Sequence, residues 1–130
     1  MRYLGIDHGD KRVGTAFSDE EGKIAFPLST IANDHSLFKS LGSIVKKEGI
    51  SKIIVGIPFS SKGEETRQSK KVREFAALLH KKLSLPVEFE NELLTTRLAE
   101  VEGIKKELAD ASAAAIILQS YLDKQNRNRI

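Results

Sequence analysis

Three acidic residues occupy positions where a carboxylate could bind a metal ion. Asp7 ends the short apolar run Tyr3–Ile6, and Glu92 follows another short apolar segment. Both are expected at the carboxyl ends of strands, where ligand sites of α/β sheets gather. Asp110 shares one helix face with residues three, four, seven and eleven positions later, namely Ala113, Ala114, Ile117 and Tyr121. A carboxylate on such an apolar stripe is costly unless it is paired or bound to a metal, although Asp110 is equally suited to cap its helix.

Carboxylates on separate elements suggest a particular chemistry. Mg²⁺ and Mn²⁺ are hard cations that prefer oxygen ligands. Two such ions about 3.5–4 Å apart activate water on one side of a phosphodiester and stabilise the leaving oxygen on the other. Spacing alone does not single out this trio, because the chain has 18 acidic residues. The three histidines have no metal-ligand spacing, and the sequence contains no phosphate-binding loop and no serine-hydrolase motif.

The elements that must position these residues follow from apolar periodicity. The run ending at Asp7 and the alternating Val13, Thr15 and Phe17 predict two antiparallel strands joined by a Gly9-Asp10 turn. Further elements are then predicted in order: a strand over 24–31 with Pro27 at an edge or bulge, a helix from 37 to near 49, a buried strand over 52–57, a helix over 72–83, a strand over 86–89, a helix from Thr95 or Thr96, and a buried helix over 109–123. This order predicts a mixed sheet with helices on both faces.

Composition narrows the class of protein further. A chain of 130 residues is expected to form one domain over 1–130. The absence of cysteine excludes disulfides and thiolate sites. No apolar run approaches the roughly 18 residues of a membrane span and no signal-peptide pattern is present, so the cytoplasm is the default location. A net charge of +3 favours a polyanionic partner only weakly, but residues 62–82 carry seven Lys or Arg against three Glu.

Four sequence blocks together resemble one known family. The segment from Gly5 to Ala16 resembles the opening of the YqgF family, bacterial RNase H-like proteins that are also called RuvX. Later blocks agree in order and approximate spacing: Ile54–Pro58 with Lys62-Gly63, Glu92–Thr96, and Asp110–Leu122. The resemblance implies an RNase H-like three-layer α/β fold with a five-stranded mixed sheet and helices on both faces. It also implies a metal-dependent nuclease that processes the 5′ end of pre-16S rRNA in ribosome biogenesis, with a Holliday junction resolvase as the alternative.

The resemblance assigns roles to particular residues. The family's acidic triad falls on Asp7, Glu92 and Asp110, which are thus the expected catalytic residues and the ligands of Mg²⁺ or Mn²⁺. Charge and proximity to the motifs suggest five phosphate contacts, although each could equally be a solvated surface residue: Arg12, Lys62, Lys70, Lys71 and Arg73. The expected partner is nucleic acid, precursor rRNA first and branched DNA second, with no membrane involvement. A monomer and a homodimer both remain open.

Two departures from the family pattern bear on activity. The family's acidic-acidic-arginine trio stands here as Asn91-Glu92-Leu93, and the stretch between Leu98 and Asp110 is shorter than usual. Glu90 could replace a ligand through a shift in register. These departures leave open a reduced activity or a protein that binds nucleic acid without cleaving it. ATP-binding proteins of the actin and sugar-kinase superfamily open with a similar hairpin, but they need two such domains to hold a nucleotide.

Overall fold

A five-stranded mixed sheet forms the centre of the fold. The computed structural model describes residues 1–92 and 106–128, except for the side chains of 106–109. The strands lie in the order β3-β2-β1-β4-β5. Strands β1 to β3 form an antiparallel meander, and β4 and β5 join it in parallel. The predicted mixed sheet is therefore confirmed; its strands are β1 Arg2–His8, β2 Arg12–Ser18, β3 Ala25–Ala32, β4 Ile50–Ile57 and β5 Val87–Asn91.

Helices cover both faces of this sheet. Helices α1 (Leu37–Glu48) and α2 (Arg67–Leu83) pack on one face, and α3 (Lys106–Arg127) packs on the other. Helix α1 ends at Gly49, whose φ of 64° is left-handed and suits glycine. In the described part of the chain, no helix is long and apolar enough to span a membrane.

The start of α2 corrects one predicted boundary. The apolar pattern predicts a helix from residue 72, but α2 begins five residues earlier. A capping box sets this start, because the Thr66 and Ser69 side chains accept hydrogen bonds from each other's backbone N–H groups. The helix predicted to begin at Thr95 or Thr96 lies outside the described residues.

Strand β3 bears out the prediction for Pro27. The strand lies at one edge of the sheet, and its pairing with β2 shifts register there: Thr15 lies opposite Ser29, whereas Ala16 lies opposite Pro27. Proline has no N–H for a ladder hydrogen bond, so a bulge on an edge strand accommodates it without loss.

Alternation along β1 directs Asp7 to the face that α3 covers. Leu4 and Ile6 pack into the core beneath α1 and α2, whereas Tyr3 packs against α3. Successive side chains of a strand point to opposite faces, so Gly5 and Asp7 share the face of Tyr3. Asp7 therefore lies beneath the helix that carries another of the predicted site residues, Asp110.

Three glycines let α3 lie unusually close to the sheet. A Cβ added to Gly14 of β2 would lie 1.9 Å from the Asp110 carbonyl oxygen, and one added to Gly56 of β4 would lie 2.5 Å from Ile117 Cδ1. Gly5 of β1 meets Leu118 in the same way. Only one face of α3 is buried, so the prediction that the whole helix is buried is wrong: Ala115 and Ile116, among others, are half-buried.

Candidate metal and nucleic-acid site

The side chains of Asp7 and Glu92 meet at one end of the sheet. Asp7 lies near the end of β1, and Glu92 follows β5 directly; both strands run parallel to β4, which lies between them. The Glu92 N–H donates to the Ile57 carbonyl oxygen at 3.3 Å. Its Oε2 lies over Gly56, 2.8 Å from the position that a Cβ there would take. The two carboxyl groups are hydrogen-bonded to each other.

Burial and mutual repulsion shift the proton affinity of both groups. Burial raises the pKa of Asp7, a hydrogen bond from Glu92 opposes this rise, and the charge of Asp110 adds to it. Burial, the charge of Asp7 and the hydrogen bond to Asp7 raise the pKa of Glu92 from 4.5 to about 8. At neutral pH, Glu92 therefore keeps its proton, and its protonated carboxyl group donates a hydrogen bond to Asp7.

Helix α3 brings Asp110 to the same end of the sheet. Its carbonyl oxygen lies over Gly14, and Gly14 is the residue that pairs with Asp7 across β1 and β2. The carboxylate of Asp110 faces Arg12, with 3.1 Å between Oδ2 and the arginine Nε. This contact is an ion pair without hydrogen-bond alignment, since Oδ2 is a buried atom with no hydrogen-bond partner in the described structure.

The chemistry of these donors fits a hard divalent cation, although the side chains do not yet enclose one. Within residues 1–92 and 106–128, no three His, Asp or Glu side chains are grouped closely enough to hold a metal ion. Asp7, Glu92 and Asp110 nevertheless supply only oxygen ligands, which Mg²⁺ and Mn²⁺ prefer. Two observations favour a cation here: the carboxyl groups of Asp7 and Glu92 are crowded together, and the buried Asp110 Oδ2 accepts no hydrogen bond in the described structure.

The basic residues predicted to contact phosphates lie on three separate parts of the fold: the start of β2, the loop after β4, and α2. Lys62 is exposed in the loop that leaves β4 at the Asp7 end of the sheet, and Lys70 is exposed on α2. Lys71 and Arg73 form exposed ion pairs, the first with Asp10 in the β1–β2 turn at 3.4 Å. Of the five, Arg12 is the one that forms an ion pair with a candidate metal ligand, Asp110.

Two other residues near the triad in sequence have different surroundings. His8 lies on the opposite face of the sheet, stacked on Phe75 with 4.3 Å between ring centroids, and burial lowers its pKa. Glu90, considered above as a replacement ligand, is 6% exposed and binds Lys124 Nζ and Ser120 Oγ. Neither side chain contributes to the acidic group. Asn91 is exposed at the end of β5, and Leu93 lies outside the described residues.

An open groove lies between α2 and the edge strand β5. Its volume is about 510 Å³, and its lining includes Lys52, Arg73, His80 and Phe89. The guanidinium of Arg73 lies over the Phe89 ring at 5.4 Å. None of the three acidic residues lines this groove, so it is a separate surface.

The sequence reasoning missed the glycines and the ion pair that organise the site. Gly14 and Gly56 interrupt strands that are otherwise rich in β-branched residues, and a glycine inside a strand signals close approach by another backbone. That signal was available. No local pattern in the sequence indicated the pairing of Arg12 with Asp110, because 97 residues lie between them and the packing of α3 brings them together.

Comparison with known proteins identifies the family. Residues 1–124 match the family model described as "RuvX: Holliday junction resolvase". A protein of Sulfurihydrogenibium sp. (strain YO3AOP1) named "Putative pre-16S rRNA nuclease" is 40% identical over 131 residues, covering 95% of this chain and 90% of its own length. A protein of the same name from Caldanaerobacter subterraneus subsp. tengcongensis is also 40% identical and covers 98% and 100%. The chain belongs to the RuvX family.

A solved structure supports the fold independently. RuvC of T. thermophilus in complex with a Holliday junction superimposes with a TM-score of 0.61, covering 97% of this chain and 96% of RuvC at 14% identity. At 14% identity, the similarity is evidence for the fold alone. It confirms the RNase H-like fold expected from the sequence.

Proposed function

We propose that this RuvX-family chain is a nuclease that hydrolyses phosphodiester bonds with Mg²⁺ or Mn²⁺ held by Asp7, Glu92 and Asp110. One observation carries the proposal: the carboxyl groups of Asp7 and Glu92 are hydrogen-bonded to each other in a half-buried position, where burial and then the charge of Asp7 raise the pKa of Glu92 to about 8. Asp110 adds a third carboxylate near enough to raise the pKa of Asp7. A fold tolerates such crowding when a cation normally neutralises it.

The residues would divide the work as follows. Asp7 and Glu92 would bind the ion from the ends of β1 and β5, and Asp110 from α3. A bound divalent cation supplies the positive charge that activates water and stabilises negative charge developing on the phosphate. Glu92 must give up its proton to become a ligand, which favours activity at neutral to alkaline pH. Arg12, Lys62, Lys70, Lys71 and Arg73 are the proposed phosphate contacts.

Precursor rRNA is the substrate we favour, in the cytoplasm, where ribosomes are assembled. The curated relatives carry the name of a pre-16S rRNA nuclease at 40% identity over nearly the whole chain. The description of the family as a Holliday junction resolvase supports a second candidate, cleavage of branched DNA. Both substrates place a phosphodiester beside the same three carboxylates.

The decisive experiment supplies purified protein and Mn²⁺ with precursor rRNA, single-stranded RNA and a four-way DNA junction. The Asp7→Asn variant should remain folded by circular dichroism and lose metal-dependent cleavage. Asp123→Asn makes the same chemical change on the exposed side of α3 and should cleave like the wild type. Equal cleavage by the wild type and Asp7→Asn would refute the proposed site. Salt-dependent binding without turnover would instead identify a non-catalytic nucleic-acid-binding protein.

A further inference from the structure

The ion pair between Arg12 and Asp110 occupies a carboxylate that the metal site needs. Arg12 begins β2 and Asp110 lies near the start of α3, with 3.1 Å between Nε and Oδ2. Their side chains are 39% and 27% exposed, so both are in contact with solvent. Arginine cannot lose its proton in a protein, so the pair can be broken only by movement.

The guanidinium and a divalent cation are competitors at this position. A cation approaching Asp110 would meet a carboxylate already neutralised, together with a positive group beside it. The Asp110 oxygen also lacks an aligned hydrogen bond, so little directional bonding holds it to Arg12. An ion pair between two partly exposed side chains is weak even where the oxygen itself is buried, and a divalent ion bound also by Asp7 and Glu92 would displace it.

We propose that Arg12 competes with the divalent cation for Asp110, and that it turns to a nucleic-acid phosphate when the cation takes its place. The inference rests on the proposed metal site. It makes Arg12 a positioning residue that links two events: the metal releases Arg12 for phosphate, and phosphate releases Asp110 for the metal. Such coupling is reciprocal, so each ligand strengthens the binding of the other by the same factor.

Metal affinity distinguishes this role from a structural one. If Arg12 merely held α3 in place, Arg12→Gln would displace Asp110 and weaken the binding of Mn²⁺. If Arg12 competes, the same variant should bind Mn²⁺ about three- to fivefold more tightly, the range that a half-exposed ion pair allows. The two roles therefore predict changes of opposite sign.

The test is calorimetric titration of the full-length protein with Mn²⁺ alone, without nucleic acid. Lys23→Gln is the matched control, because it removes an equal charge from an exposed ion pair, with Glu21 between β2 and β3, and Lys23 has no part in the proposed site. It should change Mn²⁺ affinity less than twofold. Arg12→Lys keeps the charge and should bind Mn²⁺ about as tightly as the wild type. A change seen in Arg12→Gln alone then comes from the lost charge. Unchanged or weaker Mn²⁺ binding by a folded Arg12→Gln variant would overturn the proposal.

Two further measurements separate this proposal from the proposed function. Loss of Mn²⁺ binding in Asp7→Asn and Asp110→Asn, with no tightening in Arg12→Gln, would overturn the competition and leave the metal site standing. Retained binding in both Asp variants would overturn both. The release of Arg12 to a phosphate is tested by the fluorescence anisotropy of labelled single-stranded RNA, measured before the RNA is cleaved. Arg12→Gln should bind this RNA as tightly as the wild type does in EDTA, and about threefold more weakly in Mn²⁺. An equal loss in EDTA would refute the exchange.

Discussion

Substituting glutamine for Glu92 should stabilise the metal-free protein, and by an amount that grows with pH. The pKa of Glu92 is raised from 4.5 to about 8, chiefly by burial and then by the charge of Asp7. An acid with a raised folded-state pKa makes its full contribution to stability below the unfolded-state pKa, and this contribution is lost as pH rises through the folded-state pKa. Wild-type stability should therefore fall between about pH 4.5 and 8.

The size of this loss follows from the two pKa values. The interval from 4.5 to about 8, at about 1.4 kcal/mol for each tenfold change in proton affinity, gives an upper limit of about 5 kcal/mol. Because Glu92 retains some solvent contact, we expect about 2 to 4 kcal/mol. Glutamine is uncharged at every pH and its amide can still donate to Asp7, so Glu92→Gln removes the titration and keeps the hydrogen bond.

Urea unfolding in EDTA at several pH values between 4 and 9 measures the effect. The free-energy difference between Glu92→Gln and the wild type should change little below pH 4.5, rise through neutral pH and level off above pH 8. Glu74→Gln, the same change on the exposed surface of α2, should give a difference that is nearly independent of pH. The contributions of groups that titrate equally in the variant and in the wild type cancel in this free-energy difference. A pH-independent difference for Glu92→Gln would refute the crowding of the two carboxyls.

Three further substitutions test the framework around the site. Lys124→Met leaves Glu90 buried without its cation and should lower the free energy of unfolding by about 2 kcal/mol, and adding Glu90→Gln should restore most of it in a double-mutant cycle. Gly14→Ala places a Cβ against the Asp110 backbone and should cost about 2 to 3 kcal/mol in urea unfolding, with weaker Mn²⁺ binding. Thr66→Ala removes the α2 capping box and should lower the thermal midpoint at a cost of about 1 kcal/mol, leaving Mn²⁺ affinity unchanged.

Local patterns predicted most of the elements. The alternating Val13, Thr15 and Phe17 and the β-branched run over 52–57 placed β2 and β4, because burial on a sheet demands those residue types. The start of α2 was missed, since Thr66 and Ser69 act through hydrogen bonds rather than through apolar periodicity. The close fit of α3 was missed for a related reason: a glycine such as Gly14 leaves no side chain in an apolar pattern.

The three proposed site residues could be named from the sequence, but their protonation and ion pairing could not. A strand end and an apolar helix face singled out Asp7 and Asp110 from the sequence. The proton that Glu92 retains depends on burial and on its distance from Asp7, both set by the packing of β4, β5 and α3. The ion pair of Asp110 with Arg12 likewise depends on tertiary contact alone.

Glu90 and Glu92 show how neutralisation separates a structural carboxylate from a proposed metal ligand. The two are the same residue type, two positions apart at the end of β5. Glu90 is 6% exposed. The ammonium group of Lys124 neutralises it, and the hydroxyl group of Ser120 donates a hydrogen bond to it; both residues lie on α3. Glu90 itself is the buried member of this pair, so the loss of Lys124 would strand its charge, and this disfavours Glu90 as a metal ligand.

Exchangeable partners neutralise the carboxylates at the site instead. Glu92 is neutralised by a proton with a pKa of about 8, and Asp110 is neutralised by a half-exposed guanidinium. Both partners can depart near neutral pH, one into water and the other by rotation of a side chain. In the proposed site a divalent cation would replace both at once, because it would restore the positive charge that they provided. The metal-free fold can thus keep Asp7, Glu92 and Asp110 at one end of the sheet without losing the proposed capacity to bind the ion.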